Sequence, residues 1–374
     1  MKNMANDLQN SKPFRIAFIP TMNSGVVYYR MWAFAQALRK IPNVDVAFFC
    51  WQPEINNVHP WMQDCYTNRR VRVEIEDLVR CADVTVFGMV CTPMALSLVE
   101  AVKKITGKPI LMEIDDYVYN IPRFNAGSEV YFPNSDLEHF ALSQMKISDG
   151  MIVTTPFLKK VYSEYNKNIF EVPNSIDFNL WKPKPVKHAV LRIGWIGGGT
   201  HSEDLEMVWP ALDKVLNKYE CKFYCIHGVP NFLKDKQGVF HTHDWRFILE
   251  YPRFMASYEF DIGIAPLVDC SFNNAKTNLR WLEYSALKIP SVCSNIGHFA
   301  DTVEHGKTGF KADTVGEWIE HLSALIEDKK LRQEMGKNAF ESVKNSFEVN
   351  KTAGKYLEIL KNFVKEGKYD SCRT

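Results

Sequence analysis

No two of the nine cysteines are spaced C-x-x-C, and their number is odd. Several sit inside apolar runs, among them Cys50, which closes Val-Asp-Val-Ala-Phe-Phe, and Cys293, which follows Pro-Ser-Val. A disulfide scaffold is therefore not expected, and reduced core thiols of a cytoplasmic protein are. Charge of one sign is equally scarce: Lys+Arg is 45 against Asp+Glu 44, a net charge of +1. That excludes a broad polycationic surface for nucleic acid and leaves room only for a local basic groove. Long hydrophobic runs are missing too. The longest uncharged stretch, Val84 to Val99, covers 16 residues and is broken by Gly88 and Pro93. It is too short to span a bilayer, so no transmembrane segment is expected, while peripheral membrane contact stays open. The opening MKNMANDLQNSKPF has no apolar signal core, so secretion is not expected. His241-Thr-His243 is the best metal-like pair and lacks further ligands at metal spacing, so no metal is expected. There is no short-period repeat and no low-complexity tract.

What is present is length and alternation. A chain of 374 residues is long enough for two domains, each with its own core. Aromatic residues make up 13%, which raises core packing and sugar or base stacking as competing readings. Tyr28, Tyr29, Trp51, Trp61, Tyr117 and Trp195 are the aromatic residues to consider as platforms.

Short apolar runs predict strands at Arg15–Pro20, Val44–Trp51, Val84–Gly88, Pro109–Ile114, Met151–Thr155 and Ile169–Val172. Helical spacing lies between them at Val26–Arg39, Pro93–Ile105, Ser135–Ile147 and Pro156–Tyr165. Continuous apolar strands separated by helices imply parallel sheets covered on both faces. The tract Trp181-Lys-Pro-Lys-Pro-Val-Lys-His188 has the composition of a linker. The alternation then restarts with Val190–Ile196, Cys221–His227, Val239–Thr242, Phe260–Pro266 and Pro290–Ser294, and ends in helices at Val315–Glu327, Lys329–Asn345 and Val349–Lys365. The expected organisation is two Rossmann-like doubly wound α/β domains facing across a cleft: residues 1–185, residues 186–346, and a C-terminal helix over 347–374 that packs back on the first domain.

Ligands of open parallel sheets bind beyond the carboxyl ends of the strands, so residues just after strands are the candidates. After the first strand come Gly25 and Arg30, a glycine ahead of a helix and a cation about one turn in. An ordinary turn with a surface arginine fits these residues as well. In the second half, Gly197-Gly198-Gly199-Thr200 follows a strand and precedes a helix, as a phosphate-cradling turn would. Its spacing is neither G-x-G-x-x-G nor a Walker loop. The densest stretch runs from Asp261 to Ser294. Asn273 or Asn274 is expected to cap a helix whose first N–H groups, near Lys276, Thr277 and Asn278, attract a diphosphate. Lys276 and Arg280, four apart, would share a face of that helix, with Glu283 two turns along to accept ribose hydroxyls. A solvated charged helix face is the alternative.

The stretch Lys276 to Ser294 resembles the donor-site helix and following strand of nucleotide-sugar glycosyltransferases of the two-domain B-type fold, group 1 or family 4, a retaining class. Asp83–Gly88, Pro109–Asp116, Ser148–Thr155, Val172–Asp177 and His305–Phe310 are similar to further blocks of that class. The resemblance implies a donor site in the second domain and an acceptor side in the first. Glu283 matches the second Glu of the family's E-x7-E motif, and the first falls on Ala275. Lys276 and Arg280 match basic residues used on the diphosphate, and Gly197–Thr200 matches a donor-side turn that lacks the Arg and Lys of many relatives. The frequent catalytic His of the first domain is replaced by Asp115 and Asp116, which could orient an acceptor hydroxyl or stabilise oxocarbenium charge.

The expected activity is therefore transfer of a hexose or pentose from a nucleoside-diphosphate sugar to an acceptor hydroxyl. No cofactor or metal is needed, because helix N–H groups and cations neutralise the leaving group. The acceptor is expected to be a glycan or lipid-linked sugar. The tract Arg69-Arg70-Val-Arg72 and the aromatic loop Trp51–Trp61 keep open a modified base flipped from nucleic acid. A nucleotide-sugar epimerase on the same fold, or a catalytically silent nucleotide-sugar-binding protein, are the alternatives.

Overall fold

The computed structural model describes residues 12–20, 25–48, 79–129, 132, 134–185, 187–244, 246 and 249–367. Trp51, Trp61, the loop joining them, the 69–72 basic tract and Cys50, Cys65 and Cys372 lie outside these residues. The chain divides into two compact units. The first comprises Met1–Asp115, Pro133–Pro173 and Val349–Thr374, the second Asp116–Phe132 and Asn174–Glu348.

The first unit is a six-stranded parallel sheet in the order β2-β1-β3-β4-β5-β6. Its strands are β1 (Phe14–Ile19), β2 (Val44–Phe48), β3 (Val84–Gly88), β4 (Ile110–Glu113), β5 (Gly150–Val153) and β6 (Ile169–Glu171). Strands β3, β4 and β5 are buried along their whole length, as continuous apolar runs require of a sheet covered on both faces. Helix starts follow local chemistry. Thr92, Ser135 and Thr155 each accept an N–H of the first helical turn, and Pro93 and Pro156 occupy first helical positions where a missing N–H costs nothing. The helix Val349–Glu366 belongs to this unit. Its Tyr356 packs edge-on against Phe18 of β1 and Phe34.

The helix expected over 26–39 departs from regular geometry. It consists of Gly25–Val27, a π-turn Tyr28–Trp32 and Ala33–Leu38. All five residues of the π-turn are buried, Arg30 included. The widened turn aims Arg30 inward, where its Nε donates to Glu113 Oε1 at 2.7 Å.

The second unit repeats the architecture with β7 (Leu191–Gly197), β8 (Cys221–His227), β9 (Val239–Thr242), β10 (Ile262–Ala265), β11 (Ser291–Ser294) and β12 (Phe310–Ala312). All pairings are parallel, in the order β12-β11-β10-β7-β8-β9. The order reverses between β7 and β10, so the crevice at their carboxyl ends is where this topology receives a ligand. The core beneath is made by Ile193, Leu205, Val208, Leu212, Phe223, Ile262, Ile264, Val292 and Leu322.

The units divide after Pro173, ahead of the Lys/Pro tract near 185 that the sequence points to. Trp181 in that tract is buried and packs against Tyr251 of the second unit, so an apolar anchor fixes the start of the tract.

Candidate functional site

The glycine turn sits at the switch point. Gly197 is the last residue of β7, Gly199–His201 form one 3-10 turn, and Ser202–Lys218 is the helix that follows. Two close approaches require glycine here. A Cβ on Gly197 would lie 2.4 Å from the Trp195 ring, and one on Gly228 would lie 2.2 Å from the Gly198 carbonyl carbon. Gly228 N–H donates to Gly197 O at 2.7 Å, which seats the turn on the end of β8. The residue before it, His227, is held at φ +76°, a left-handed conformation that costs a non-glycine residue energy. Gly199 and Thr200 are exposed at the tip.

Asp204, in the first turn of the helix, joins this turn to the loop after β10. Its Oδ2 lies 2.7 Å from His201 Nδ1. Its Oδ1 accepts the Val268 N–H at 2.7 Å and the Asn273 side-chain N–H at 3.1 Å. Asp204 is 2% exposed, so this carboxylate is a buried staple between the two walls of the crevice.

The loop after β10 is built differently from the sequence expectation. Asn273 and Asn274 fall inside a short helix, Ser271–Asn274, and the next helix begins only at Leu279, with Asn278 at its N-cap. Lys276 therefore stands outside any helix. The shared face expected for Lys276, Arg280 and Glu283 does not form, because residues between the two helices do not follow the 3.6-residue period. The Lys276 N–H is spent on Asn273 O at 3.1 Å. The Lys276 ammonium donates to Asp116 Oδ1 at 2.6 Å and lies 4.3 Å from the centre of the Phe272 ring. Thr277 accepts from Asn174 Nδ2 at 3.0 Å and from Leu279 N–H at 3.2 Å. Asn278 is fully buried. Its amide donates to Thr302, and its Oδ1 has no partner among the described residues.

Arg280 and Glu283 turn inward together. Arg280 Nη1 donates to Glu283 Oε2 at 2.6 Å and to the Tyr251 hydroxyl at 2.8 Å. Burial alone would lower the Arg280 pKa, but Tyr251 and Glu283 beside it outweigh burial and hold the guanidinium charged. Burial pushes the Tyr251 hydroxyl well above its ordinary range. Glu283 is 3% exposed, so it offers a ribose an edge of the carboxylate at most. Ala275, at the position of the family's first Glu, is buried.

The sequence candidates of the first unit fare unequally. Gly25 has open space around its Cβ position. Arg30 is 1% exposed and bound to Glu113, so its charge is already answered inside the protein rather than offered to a diphosphate. Burial raises the Glu113 pKa against the opposing pull of Arg30. Asp115 is half-buried, and its backbone carbonyl accepts from the Thr154 hydroxyl at 3.5 Å. Its neighbour Asp116 belongs to the second unit, next to Lys276. Tyr28, Tyr29 and Trp195 are buried core residues, not platforms, whereas Tyr117 is half-buried. Cys221, Cys225 and Cys293 are buried free thiols, as expected, while Cys81 is exposed. Among the described residues no cluster of three or more His, Cys, Asp or Glu could hold a metal, and no helix is long and apolar enough to cross a membrane.

Sequence reasoning missed His201, Asp204, Gly228 and Tyr251. The pair His201 and Asp204, three apart at a helix start, carried a usable signal beside the glycines. Tyr251 carried none, because only the fold brings it to Glu283.

Residues 279–342 match the family model of glycosyl transferases group 1. The trehalose synthase of Thermococcus litoralis is 39% identical over 92 residues, 25% of this chain and 21% of that protein. The chain thus spans about a fifth of the length of that curated relative. Among solved structures, a glycosyltransferase from Rickettsia africae superposes with a TM-score of 0.65 at 18% identity, over 95% of this chain and all of that one. HepE of Anabaena, solved with UDP and glucose, gives 0.64 at 14% identity over 93% of this chain and 100% of its own. Over residues 279–342 the chain carries the sequence of the group 1 glycosyl transferases, and its two parallel sheets are those of the B-type fold of such enzymes.

Proposed function

We propose that the chain is a glycosyltransferase that moves a sugar from a nucleoside-diphosphate donor to the hydroxyl of a glycan or lipid-linked acceptor. The observation that carries this reading is the crevice at the carboxyl ends of β7 and β10. There the glycine turn of 197–200 and the cationic loop around Lys276 are tied together by the buried Asp204. Exposed backbone on one wall and a half-buried ammonium on the other suit a diphosphate. Lys276 is the cation with reach, and Asp116 holds its ammonium until a phosphate replaces the carboxylate. Arg280 acts behind it as a fixed positive charge, and Glu283 serves the ribose from its buried position.

As the glycosidic bond breaks, the electron pair stays on the phosphate oxygen, and these charges stabilise it without a metal. Asp115 serves the acceptor side. Transfer retains the anomeric configuration, a reading supported by the family resemblance.

The test is calorimetric titration of the whole chain with UDP, GDP and ADP, then nucleoside-diphosphate release from the matching sugar donor over an acceptor panel. Binding of one diphosphate, weakened in Lys276→Ala, with acceptor-dependent release unaffected by EDTA, is the expected result. The anomeric proton coupling of the product reads retention directly. No binding of any diphosphate sinks the proposal, and donor conversion without an acceptor replaces it with epimerisation.

A further inference from the structure

We infer that His201 is a ligand contact for the donor diphosphate, delivering an N–H from its Nε2 while Asp204 positions the ring. The inference rests on the nucleotide-sugar reading above and adds a residue to it. The ring is fixed on one side: Nδ1 lies 2.7 Å from Asp204 Oδ2, and the ring meets Trp195 edge to face with centroids 6.1 Å apart. The carboxylate that holds it is itself immobile. Its other oxygen accepts Val268 N–H and the Asn273 side chain, and it is 2% exposed.

An imidazole held by a carboxylate at Nδ1 has its orientation set, and a proton on Nε2 then makes that nitrogen a donor for a phosphate oxygen. That other nitrogen, Nε2, has no hydrogen-bond partner among the described residues, and the side chain keeps 27% of its surface. Its place decides the ligand. His201 closes the 3-10 turn that begins at Gly199, directly beyond the end of β7 at the switch point. An anion lying along Gly198 and Gly199 comes within reach of Nε2. The pair thus supplies from an imidazole what the turn has no Arg or Lys to supply.

A purely structural reading makes the pair a brace for the helix start. The two readings separate on ligand charge. The experiment uses the whole chain, wild type and the variants His201→Gln, His201→Ala and Asp204→Asn, with UDP, GDP, ADP and the matching nucleosides. Thermal unfolding first identifies variants that remain folded. The expected result is that the diphosphate that binds wild type binds His201→Ala about tenfold more weakly, the nucleoside binds both alike, and His201→Gln recovers part of the loss. In wild type labelled with 15N-histidine, the resonance absent from His201→Gln moves on adding the diphosphate and stays with the nucleoside. Asp204→Asn alters that resonance before ligand is added. Equal diphosphate binding in wild type and His201→Ala, or an equal loss for nucleoside and diphosphate, overturns the inference while the wider reading stands. Absence of diphosphate binding in wild type removes both.

Discussion

Asp116 and Lys276, 160 residues apart in sequence, meet at 2.6 Å within the second unit. The ion pair joins the segment after β4 to the loop after β10, and both side chains keep access to solvent, 43% and 24% exposed. Exposed pairs of this kind contribute about 1 kcal/mol or less, because water screens them and two side chains lose freedom.

The pair therefore matters for ligands more than for folding. Lys276→Ala is expected to shift the denaturation midpoint little and to weaken nucleoside-diphosphate binding about tenfold. Asp116→Asn releases the ammonium and leaves that affinity equal or tighter. Urea denaturation and calorimetry on the two variants check both halves.

Glu283 answers to the opposite rule. It is 3% exposed and faces the Arg280 guanidinium at 2.6 Å, with Tyr251 behind. Arg280 keeps 24% of its side-chain surface, so losing Glu283 leaves a partly solvated charge with the Tyr251 hydroxyl beside it, at a cost of about 1–3 kcal/mol. Glu283→Ala is thus expected to unfold at lower denaturant, whereas loss of ribose contact alone would leave the midpoint unchanged. Guanidinium denaturation of Glu283→Ala beside Glu283→Gln measures it.

Much of the frame was legible in the sequence. Pro93, Pro156 and Ser135 marked helix starts that the structure keeps, because proline and serine act locally. The site was legible in part. Lys276, Arg280 and Glu283 were singled out as candidates, but the shared helix face expected of them does not form. The helix expected to start at Asn273 or Asn274 starts instead after Asn278, and Asn273 is held by Asp204, a partner 69 residues away that the local sequence does not reveal. Arg30 misled for a related reason. Its partner Glu113 is 83 residues away, and a π-turn that turns it inward leaves no trace in the helical spacing of residues 26–39.

That buried pair predicts a pH dependence. Burial raises the Glu113 pKa in the folded state above its ordinary value of 4.5. The folded state then binds the proton more tightly than the unfolded state, so this group's contribution is present below the unfolded pKa. It is lost as pH rises toward the folded pKa. Glu113→Gln removes that component, and its stability should fall less than wild type's as pH is raised from about 4. Denaturation curves of both proteins across pH 4 to 7 give the comparison.

The thiols should react by burial. Burial pushes the pKa of Cys225 and of Cys293 up to about 12, and that of Cys221 to about 11, so each is an inert thiol at pH 8. Cys81 is exposed. Brief iodoacetamide treatment followed by peptide mass mapping should find Cys81 alkylated, and Cys225 and Cys293 untouched until denaturant is added.

Gly228 and Gly199 separate the turn's architecture from its chemistry. A Cβ on Gly228 would lie 2.2 Å from the Gly198 carbonyl carbon and 2.4 Å from Gly199 N, both backbone atoms that cannot rotate away. The turn must move, and overpacking of this kind costs about 1–3 kcal/mol. A Cβ on Gly199 meets nothing within 4 Å, so the fold tolerates it. Gly228→Ala should therefore lower both stability and diphosphate affinity. Gly199→Ala should leave the melting temperature near wild type and still weaken binding, because a methyl group stands where a phosphate must approach the backbone. Paired melting curves and titrations decide it, and unchanged affinity in Gly199→Ala would mean that no ligand lies along this turn.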